Sequence, residues 1–190
     1  MRDKREKVPN KIDERPASTI QKDYALKLGI CLPKDITQSD AKAIIARYLD
    51  DDDGASSSLL EYARRKGILC SDYIGNKALH QQLFDHLSER DKIIFFCFCI
   101  YKFYWEDNFE DLENHPKREW FETFLERFEK DGYFKMSMEE YLGEELVAFG
   151  KSKKSVGGVE KTIYGGSAYT RAHKEAYQYL KSRQEQDNNY

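Results

Sequence analysis

The chain has 190 residues, of which 40% are apolar and 34% charged, and its formal net charge is −3. This length suits one domain or two small ones with a real core, and the composition is that of a globular protein. Aromatic residues reach 14% while valine is scarce, which favours helix over strand. The small net charge does not indicate a nucleic-acid-binding protein as a whole.

The sequence predicts neither secretion nor membrane insertion. The charged N-terminus lacks the apolar segment of a signal peptide. The longest apolar run, Ile93–Trp105, contains Lys102 and falls short of the ~20 residues that a membrane span needs. The four cysteines form no CxxC pair, so we expect reduced thiols rather than disulfides or a zinc site. A cytoplasmic protein is expected.

The first ordered segment is predicted to be a helix–extended–helix module at residues 17–53, after a disordered tail at residues 1–16. Ser18 and Thr37 are each followed, three residues later, by a residue that completes a helix-capping pattern. Gly29 stands where a helix ends in a left-handed turn. The proline shortly after it favours an extended connection, so the pattern predicts two short helices around a linker.

The pattern of this module recurs 38 residues downstream. Tyr24-Ala25-x-x-x-Gly29-Ile30 is matched by Tyr62-Ala63-x-x-x-Gly67-Ile68. Three more apolar pairs keep the same offset: Ile36 with Ile74, Ile45 with Leu83, and Leu49 with Leu87. Ser58 and Glu61 are predicted to cap the second helix pair. A second copy at residues 56–90 and a chance recurrence of a common helix ending both account for these matches.

An aromatic-rich, acidic helical core is predicted at residues 88–150. The uniformly apolar run Ile93–Trp105 predicts a helix buried on all sides. A second helix is predicted through Trp120–Phe128 and a third from a cap at Ser137 to Phe149, with Gly132 ending the second.

The last part of the chain, residues 151–183, is basic and glycine-rich. We expect KSKKSVGG to be flexible, Val159–Tyr164 to form a strand, and Gly165–Ser167 to open a final helix before a tail at residues 184–190. The predicted fold class is therefore mainly α, with an N-terminal helix–extended–helix unit, an aromatic-rich helical core, and a short Gly-rich β/loop segment plus a C-terminal helix.

No pattern predicts a catalytic or metal site. The histidines occupy no HExxH or HxxxH frame and are interpreted as surface or cap residues. The run DDDDGASSSLLE, which begins at Asp50, has its glycine one position too early for a calcium loop. Nothing assembles a nucleophile, a base and an orienting group. The prediction is a protein that is not an enzyme and uses no metal or cofactor.

The charge distribution predicts two binding surfaces. Residues 106–145 hold 14 acidic and 5 basic residues, whereas residues 151–183 hold 8 basic and 2 acidic. The predicted partner-binding acidic face comprises Glu119, Glu122, Glu126, Glu129, Glu139, Glu140, Glu144 and Glu145. The predicted site for nucleic acid or an acidic partner comprises Lys151, Lys153, Lys154, Lys161, Tyr164, Tyr169, Arg171 and Lys174, since lysines pair with phosphates and tyrosines stack on bases.

The segment PASTIQKDYALKLGICLPKDITQSDAKAIIARYL resembles the SAP-type helix–extended–helix module of DNA-associated proteins. The resemblance rests on the LGIxLPxDxT turn at Leu28–Thr37 and on the apolar residues Ile44, Ile45 and Leu49 that follow it. It covers residues 17–50, roughly a fifth of the chain. Such modules accompany DNA-handling enzymes, and comparable segments occur in phage and other mobile-element proteins, so the resemblance implies a role near nucleic acid in a bacterial host cell.

Two functions from different classes are predicted. In the first, the chain is a non-catalytic interaction protein of phage or mobile-element type that binds a host protein or protein–nucleic-acid complex and inhibits a defence nuclease, as anti-CRISPR proteins do. Complementary charge would steer that encounter. In the second, the chain is a SAP-like accessory protein that binds DNA or RNA directly through the N-terminal module and the basic C-terminal region.

Overall fold

The computed structural model describes residues 12–105, 107–109, 111–149, 151–156, 159–164 and 169–188, and for residues 151–156 and 159–164 it describes the backbone alone. The elements are α1 (Thr19–Lys27), α2 (Gln38–Leu49), α3 (Ser57–Arg65), α4 (Asn76–His86), α5 (Glu89–Trp105), α6 (Arg118–Phe128), α7 (Gly132–Glu139), a 3₁₀ helix (Gly143–Val147), β1 (Lys151–Val156), β2 (Val159–Tyr164) and α8 (Arg171–Asp187). The predicted mainly α fold is confirmed. None of the described helices has the length and apolar character needed to cross a membrane.

The first four helices form two units with matching backbone contacts. We call residues 13–50 the outer unit and residues 51–88 the inner unit. The matched contacts, outer then inner, are Ala17 N–H to Ile36 O (2.8 Å) and Ala55 N–H to Ile74 O (3.0 Å), and the antiparallel bridges Pro16–Thr37 and Gly54–Gly75. The first helix of each unit is followed by a glycine with positive φ, 75° at Gly29 and 72° at Gly67. The two units therefore share one backbone design at an offset of 38 residues.

Helix caps fix the start of the first helix in each unit. Ser18 and Gln21 form the predicted capping box, in which the Gln21 N–H donates to Ser18 Oγ at 3.2 Å and the Ser18 N–H donates to Gln21 Oε1 at 3.0 Å. In the inner unit the cap is Ser56, whose Oγ accepts from the Leu59 N–H at 3.2 Å. The prediction of Ser58 was wrong, because the 38-residue offset from the first cap leads to Ser56.

The second helix of each unit is capped differently. Thr37 caps α2 with its own hydroxyl, but the matched residue in the inner unit is Gly75, which has no side chain. Asp52 supplies the missing acceptor, because its carboxylate accepts from the N–H groups of Lys77 (3.1 Å) and Ala78 (3.3 Å). A Cβ at position 75 would lie 2.0 Å from Asp52 Oδ2. Part of the acidic run after α2 therefore caps α4. The Asp52 N–H also donates to Arg47 O of α2 at 3.0 Å, which links the two units.

Helix α5 carries the main core and is buried from Ile93 to Tyr101. Phe95 stacks on Tyr62 of α3, with ring centroids 6.1 Å apart, and Phe98 meets Phe121 of α6 edge-on at 5.8 Å. Phe96 contacts the rings of Phe134, Tyr141 and Phe149. The outer unit has a separate small cluster of Ala17, Ile36 and Ala41, with Leu32 and Ile44 packed against it.

The structure corrects the predicted helix boundaries in the C-terminal half. Gly132 begins α7 rather than ending α6, because the Asp131 carboxylate caps the helix by accepting from the N–H groups of Tyr133 (2.9 Å) and Phe134 (3.0 Å). The predicted cap Ser137 lies inside α7, and its Oγ accepts from the Ala172 N–H at 3.0 Å. The helix predicted to continue to residue 149 is replaced by the separate 3₁₀ helix.

The basic segment contains a hairpin. β2 forms as predicted and pairs antiparallel with β1, so residues 151–156 are a strand where a flexible stretch was predicted. Residues 157–158 and the predicted helix start at residues 165–167 lie outside the described residues. Helix α8 is capped by Thr170 and runs to Asp187, into the segment predicted as a tail.

The predicted N-terminal tail falls largely outside the description, since residues 1–11 are not part of it. The last residues of that segment belong to the outer unit: the Gln38 N–H donates to Arg15 O at 2.8 Å, and the Asp13 N–H donates to Ser39 Oγ at 2.6 Å.

Gly143 allows the 3₁₀ helix to approach α4, and its replacement tests this packing. A Cβ at this position would lie 2.5 Å from His80 O and 2.6 Å from Gln81 Cα, so the backbone would have to move. We expect Gly143→Ala to lower the free energy of unfolding by about 2 kcal/mol, measured by urea denaturation. Gly132→Ala is the matched control, because a Cβ there meets nothing within 4 Å. Equal stabilities of the two variants would contradict this packing.

Candidate interaction surfaces

The predicted basic site is divided between the hairpin and α8. Lys151, Lys153 and Lys154 lie on β1, while Lys161 and Tyr164 lie on β2. The backbone register pairs Lys151 with Tyr164 and Lys154 with Lys161. Their side chains are outside the description, so a common binding face on the hairpin stays a prediction.

The part of the basic site on and before α8 is described in full. Tyr169 and Lys174 are exposed. Arg171 is paired, because its guanidinium lies 2.9 Å from the Asp131 carboxylate and over the ring of Tyr133 at 5.6 Å. A second carboxylate, that of Glu175, lies 3.8 Å away. Binding a phosphate through Arg171 would therefore require breaking these contacts.

The predicted acidic face is less uniform than the sequence suggests. Glu122 pairs with Arg118 at 2.9 Å, and Glu129 pairs with Arg90. Glu145 accepts from the Leu142 N–H at 2.8 Å. The exposed remainder of the predicted face is Glu119, Glu126, Glu139, Glu140 and Glu144. Basic residues interrupt the acidic ones on α6, so the potential over this helix is weaker than the residue count implied.

Two histidines are buried, contrary to the prediction that all four are surface or cap residues. His115 accepts the Lys117 N–H at Nδ1 (2.9 Å) and hydrogen-bonds Asp107 through Nε2 (2.9 Å). His173 lies 3.2 Å from the Tyr104 hydroxyl. Burial lowers the pKa of both, and that of His173 falls to about 4. Both residues therefore serve the core.

The surface that sequence reasoning missed is on the outer unit. Tyr24 is 45% exposed, whereas the matched Tyr62 in the inner unit is 1% exposed. Leu49 is 53% exposed, whereas the matched Leu87 is 5% exposed. The inner unit is covered because its chain continues directly into α5, where Phe95 stacks on Tyr62. After α2 the chain continues instead into the linker that leads to α3, so the matched residues of the outer unit face solvent.

The outer unit also has apolar residues where the inner unit has polar ones. At the common offset, Ile20, Leu26, Ile44 and Tyr48 correspond to Ser58, Arg64, Gln82 and His86. Ile20, Leu26 and Tyr48 are exposed and Ile44 is half-buried. The inner unit forms without apolar side chains at these positions, although in the outer unit Ile44 packs against the small cluster. The exposed Ile20, Leu26 and Tyr48 are therefore candidates for contact with a partner.

A groove of about 680 Å³ lies at the C-terminal end of α2. Its lining joins the apolar residues of the first turn and of α2 to the acidic linker: Gly29, Ile30, Ile44, Arg47, Tyr48, Asp51, Asp52 and Asp53. An alignment of the two units at the 38-residue offset would have pointed to this surface, because it shows which apolar residues belong to the outer unit alone.

The burial of His173 predicts a pH-dependent stability. Its folded-state pKa of about 4 lies below the unfolded value of about 6.5. Between these two pH values the imidazole is protonated in the unfolded chain and neutral in the folded chain. The stability is therefore greatest above about pH 6.5 and falls as the pH drops towards about 4. The loss is roughly 3 kcal/mol, because a pKa difference of one unit corresponds to about 1.36 kcal/mol. Urea denaturation across this range measures the effect.

Two variants separate this effect from other titrations. His173→Gln should flatten the loss, because the neutral amide does not titrate, whereas replacement of the exposed His86 by Gln should leave the loss intact. An unchanged pH profile in His173→Gln would refute the assignment.

Comparison with known proteins assigns no family to this chain. No protein-family model matches it, and neither does any curated protein or solved structure. The resemblance of residues 17–50 to SAP-type modules therefore stays a prediction that rests on the turn at Leu28–Thr37. We therefore infer a function from the exposed residues and charges of the surfaces described above.

Proposed function

We propose that this chain is a non-catalytic interaction protein that binds a protein partner through the exposed apolar surface of the outer unit. One observation carries the proposal: Tyr24 and Leu49 are about half exposed, while their counterparts in the inner unit are buried. The inner unit provides an example of how such a face is covered, with an aromatic ring of a helix stacked on the tyrosine. A partner would complete the outer unit in the same way.

The energetics favour a binding role for this face. Burying a large apolar side chain contributes ~1.5–3 kcal/mol, and several such side chains lie in the outer unit. Their exposure in the isolated chain forgoes that contribution. The side-chain link between the outer and the inner unit is made by polar residues, with Ser71 Oγ donating to Asp40 Oδ1 at 2.6 Å. The apolar face is therefore left available for a partner.

The proposed partner is a nucleic-acid-handling host machine, and the inhibition of a defence nuclease by a phage or mobile-element protein is the narrower form of this proposal. Supporting it is the acidic linker Asp50–Asp53 beside the exposed apolar residues. Proteins that bind nucleic acid present basic surfaces, and acidic groups around an apolar patch would select for them.

Direct binding of DNA or RNA is the alternative proposal. It rests on the lysines of the hairpin together with the exposed Tyr169 and Lys174. Its test is a gel-shift assay with duplex and single-stranded DNA at low salt, comparing the parent chain with Lys153→Glu/Lys154→Glu. A shift that weakens with salt and is lost in the variant would support it. No shift of either DNA by the parent chain would rule it out.

The interaction proposal predicts that polar substitutions on the outer unit abolish binding without unfolding the chain. The tagged parent and the double variant Tyr24→Ser/Leu49→Ser are used to capture proteins from a bacterial lysate, with quantitative mass spectrometry as the measurement. We expect a partner retained by the parent to be lost from the variant, because two exposed anchors are removed. The free energy of unfolding should change by less than about 1 kcal/mol, since neither side chain is buried.

The matched control is Tyr133→Ser, which removes an equally large exposed side chain from α7. This variant should capture the same partner as the parent. A Tyr24→Ser/Leu49→Ser variant that retains every partner of the parent chain would contradict the proposed function.

A further inference from the structure

The groove at the C-terminal end of α2 has an apolar floor and an acidic rim. Ile30 and Ile44 are half-buried and Tyr48 is exposed, and together they provide the apolar lining. The linker residues Asp51–Asp53 line the same groove. An apolar anchor and a charged flank thus share one concave surface, the usual composition of a peptide-binding groove.

The rim is negatively charged for three separate reasons. Asp51 and Asp53 are exposed, and among the described residues no ion pair neutralises either carboxylate. The Asp52 carboxylate caps α4 by accepting two backbone hydrogen bonds, and its negative charge stays at the rim. Helix α2 ends at Leu49, so the partial negative charge of its last carbonyls adds to the same region. Part of this charge is offset by Arg47, which lines the groove, and by Lys77, whose Nζ donates to Asp51 O at 3.0 Å.

The inner unit shows that this combination is not imposed by the fold. At the positions of Ile44 and Tyr48 it carries Gln82 and His86. Those residues lie on the same side of the same helix pair, and α4 forms with them in place. Ile44 and Tyr48 are thus lining residues of the outer unit alone, whereas Ile30 has an apolar counterpart in Ile68.

We infer that the groove binds a basic segment of a partner protein, in which one large apolar side chain is flanked by lysine or arginine. This inference rests on the proposed function and names the partner's chemistry at the groove. The apolar side chain would lie on Ile44 and Tyr48, and the flanking cations would face Asp51 and Asp53. Nucleic acid is disfavoured as the occupant, because its phosphates would meet this acidic rim.

The test is a titration of the ¹⁵N-labelled full chain, followed by NMR. The probe is a short capped peptide with one central phenylalanine and two lysines on each side. Two matched peptides replace the lysines by glutamate or the phenylalanine by serine. Gly29 lines the groove and Gly67 is its counterpart in the inner unit. We expect the basic apolar peptide to shift the Gly29 amide saturably and to leave the Gly67 amide in place, with both matched peptides much weaker.

Two variants of the chain locate the binding. Tyr48→His gives the outer unit the residue that the inner unit carries at the matched position. It changes an exposed side chain and leaves Ile44 packed against the outer cluster, so it should fold normally and bind about tenfold more weakly. Asp51→Asn/Asp53→Asn leaves the capping carboxylate of Asp52 in place and should weaken binding about fivefold, with a reduced salt dependence.

Four outcomes would overturn the inference. The first is an equal shift of the Gly29 and Gly67 amides, and the second is equal binding of the acidic peptide. The third is a shift of the Gly29 amide by duplex DNA instead of the peptide. The fourth is a shift of the Gly29 amide that depends on protein concentration without peptide, which would identify a second copy of this chain as the occupant. The proposed function is judged separately. If Tyr24→Ser/Leu49→Ser loses its partner while Tyr48→His keeps it, the outer unit binds elsewhere and only the groove assignment fails.

Discussion

Helix α5 is buried from Ile93 to Tyr101 by the helices around it, and this burial determines which other parts of the chain are covered. Its phenylalanines contact α3, α6 and α7, and Tyr104 near its end meets Tyr177 of α8 at 4.6 Å. Aromatic pairs of this kind contribute beyond their buried area. The stretch Ile93–Tyr101 of α5 is buried by these neighbours, while Tyr24 and Leu49 of the outer unit stay exposed. The outer unit therefore depends on its own small cluster and on polar links to its neighbour.

This constraint explains why one backbone design has two different surfaces in the same chain. The inner unit needs apolar residues at Tyr62 and Leu87 because α5 and its surroundings bury them. The outer unit retains Tyr24 and Leu49 at the matched positions, although nothing within the described chain buries them to the same extent. A core therefore cannot account for these residues, whereas a partner can. The acidic linker beside them defines the charge that such a partner should carry.

Much of the fold was predictable because its signals are local. The caps at Ser18 and Thr37 and the glycine after α1 depend on residues three or four positions apart, and all are present as predicted. The boundaries around α7 were predicted wrongly for two different reasons. The Asp131 cap just before Gly132 is itself a local signal, but the glycine was taken as a helix end. Ser137 accepts from the distant Ala172 N–H of α8, and such a long-range contact cannot be recognised from spacing.

The candidate sites were less predictable than the fold. Counting charges gave an acidic face, but the pairing of Glu122 and Glu129 with arginines depends on packing that the sequence does not display. The burial of His173 follows from its contact with α5. The interaction surface of the outer unit depends on what α5 leaves uncovered, which is a property of the assembled chain. Only the comparison of the two units, residue by residue, would have revealed it in the sequence.

In the isolated chain the outer unit exposes Tyr24, whereas the inner unit buries the matched Tyr62. Hydroxyl-radical footprinting with mass spectrometry measures this directly, because Tyr24 and Tyr62 occupy matched positions and have the same intrinsic reactivity. We expect rapid oxidation of Tyr24 and strong protection of Tyr62 in the folded chain, because Tyr24 is exposed and Tyr62 is buried. Equal protection of the two tyrosines in the monomeric chain would contradict it.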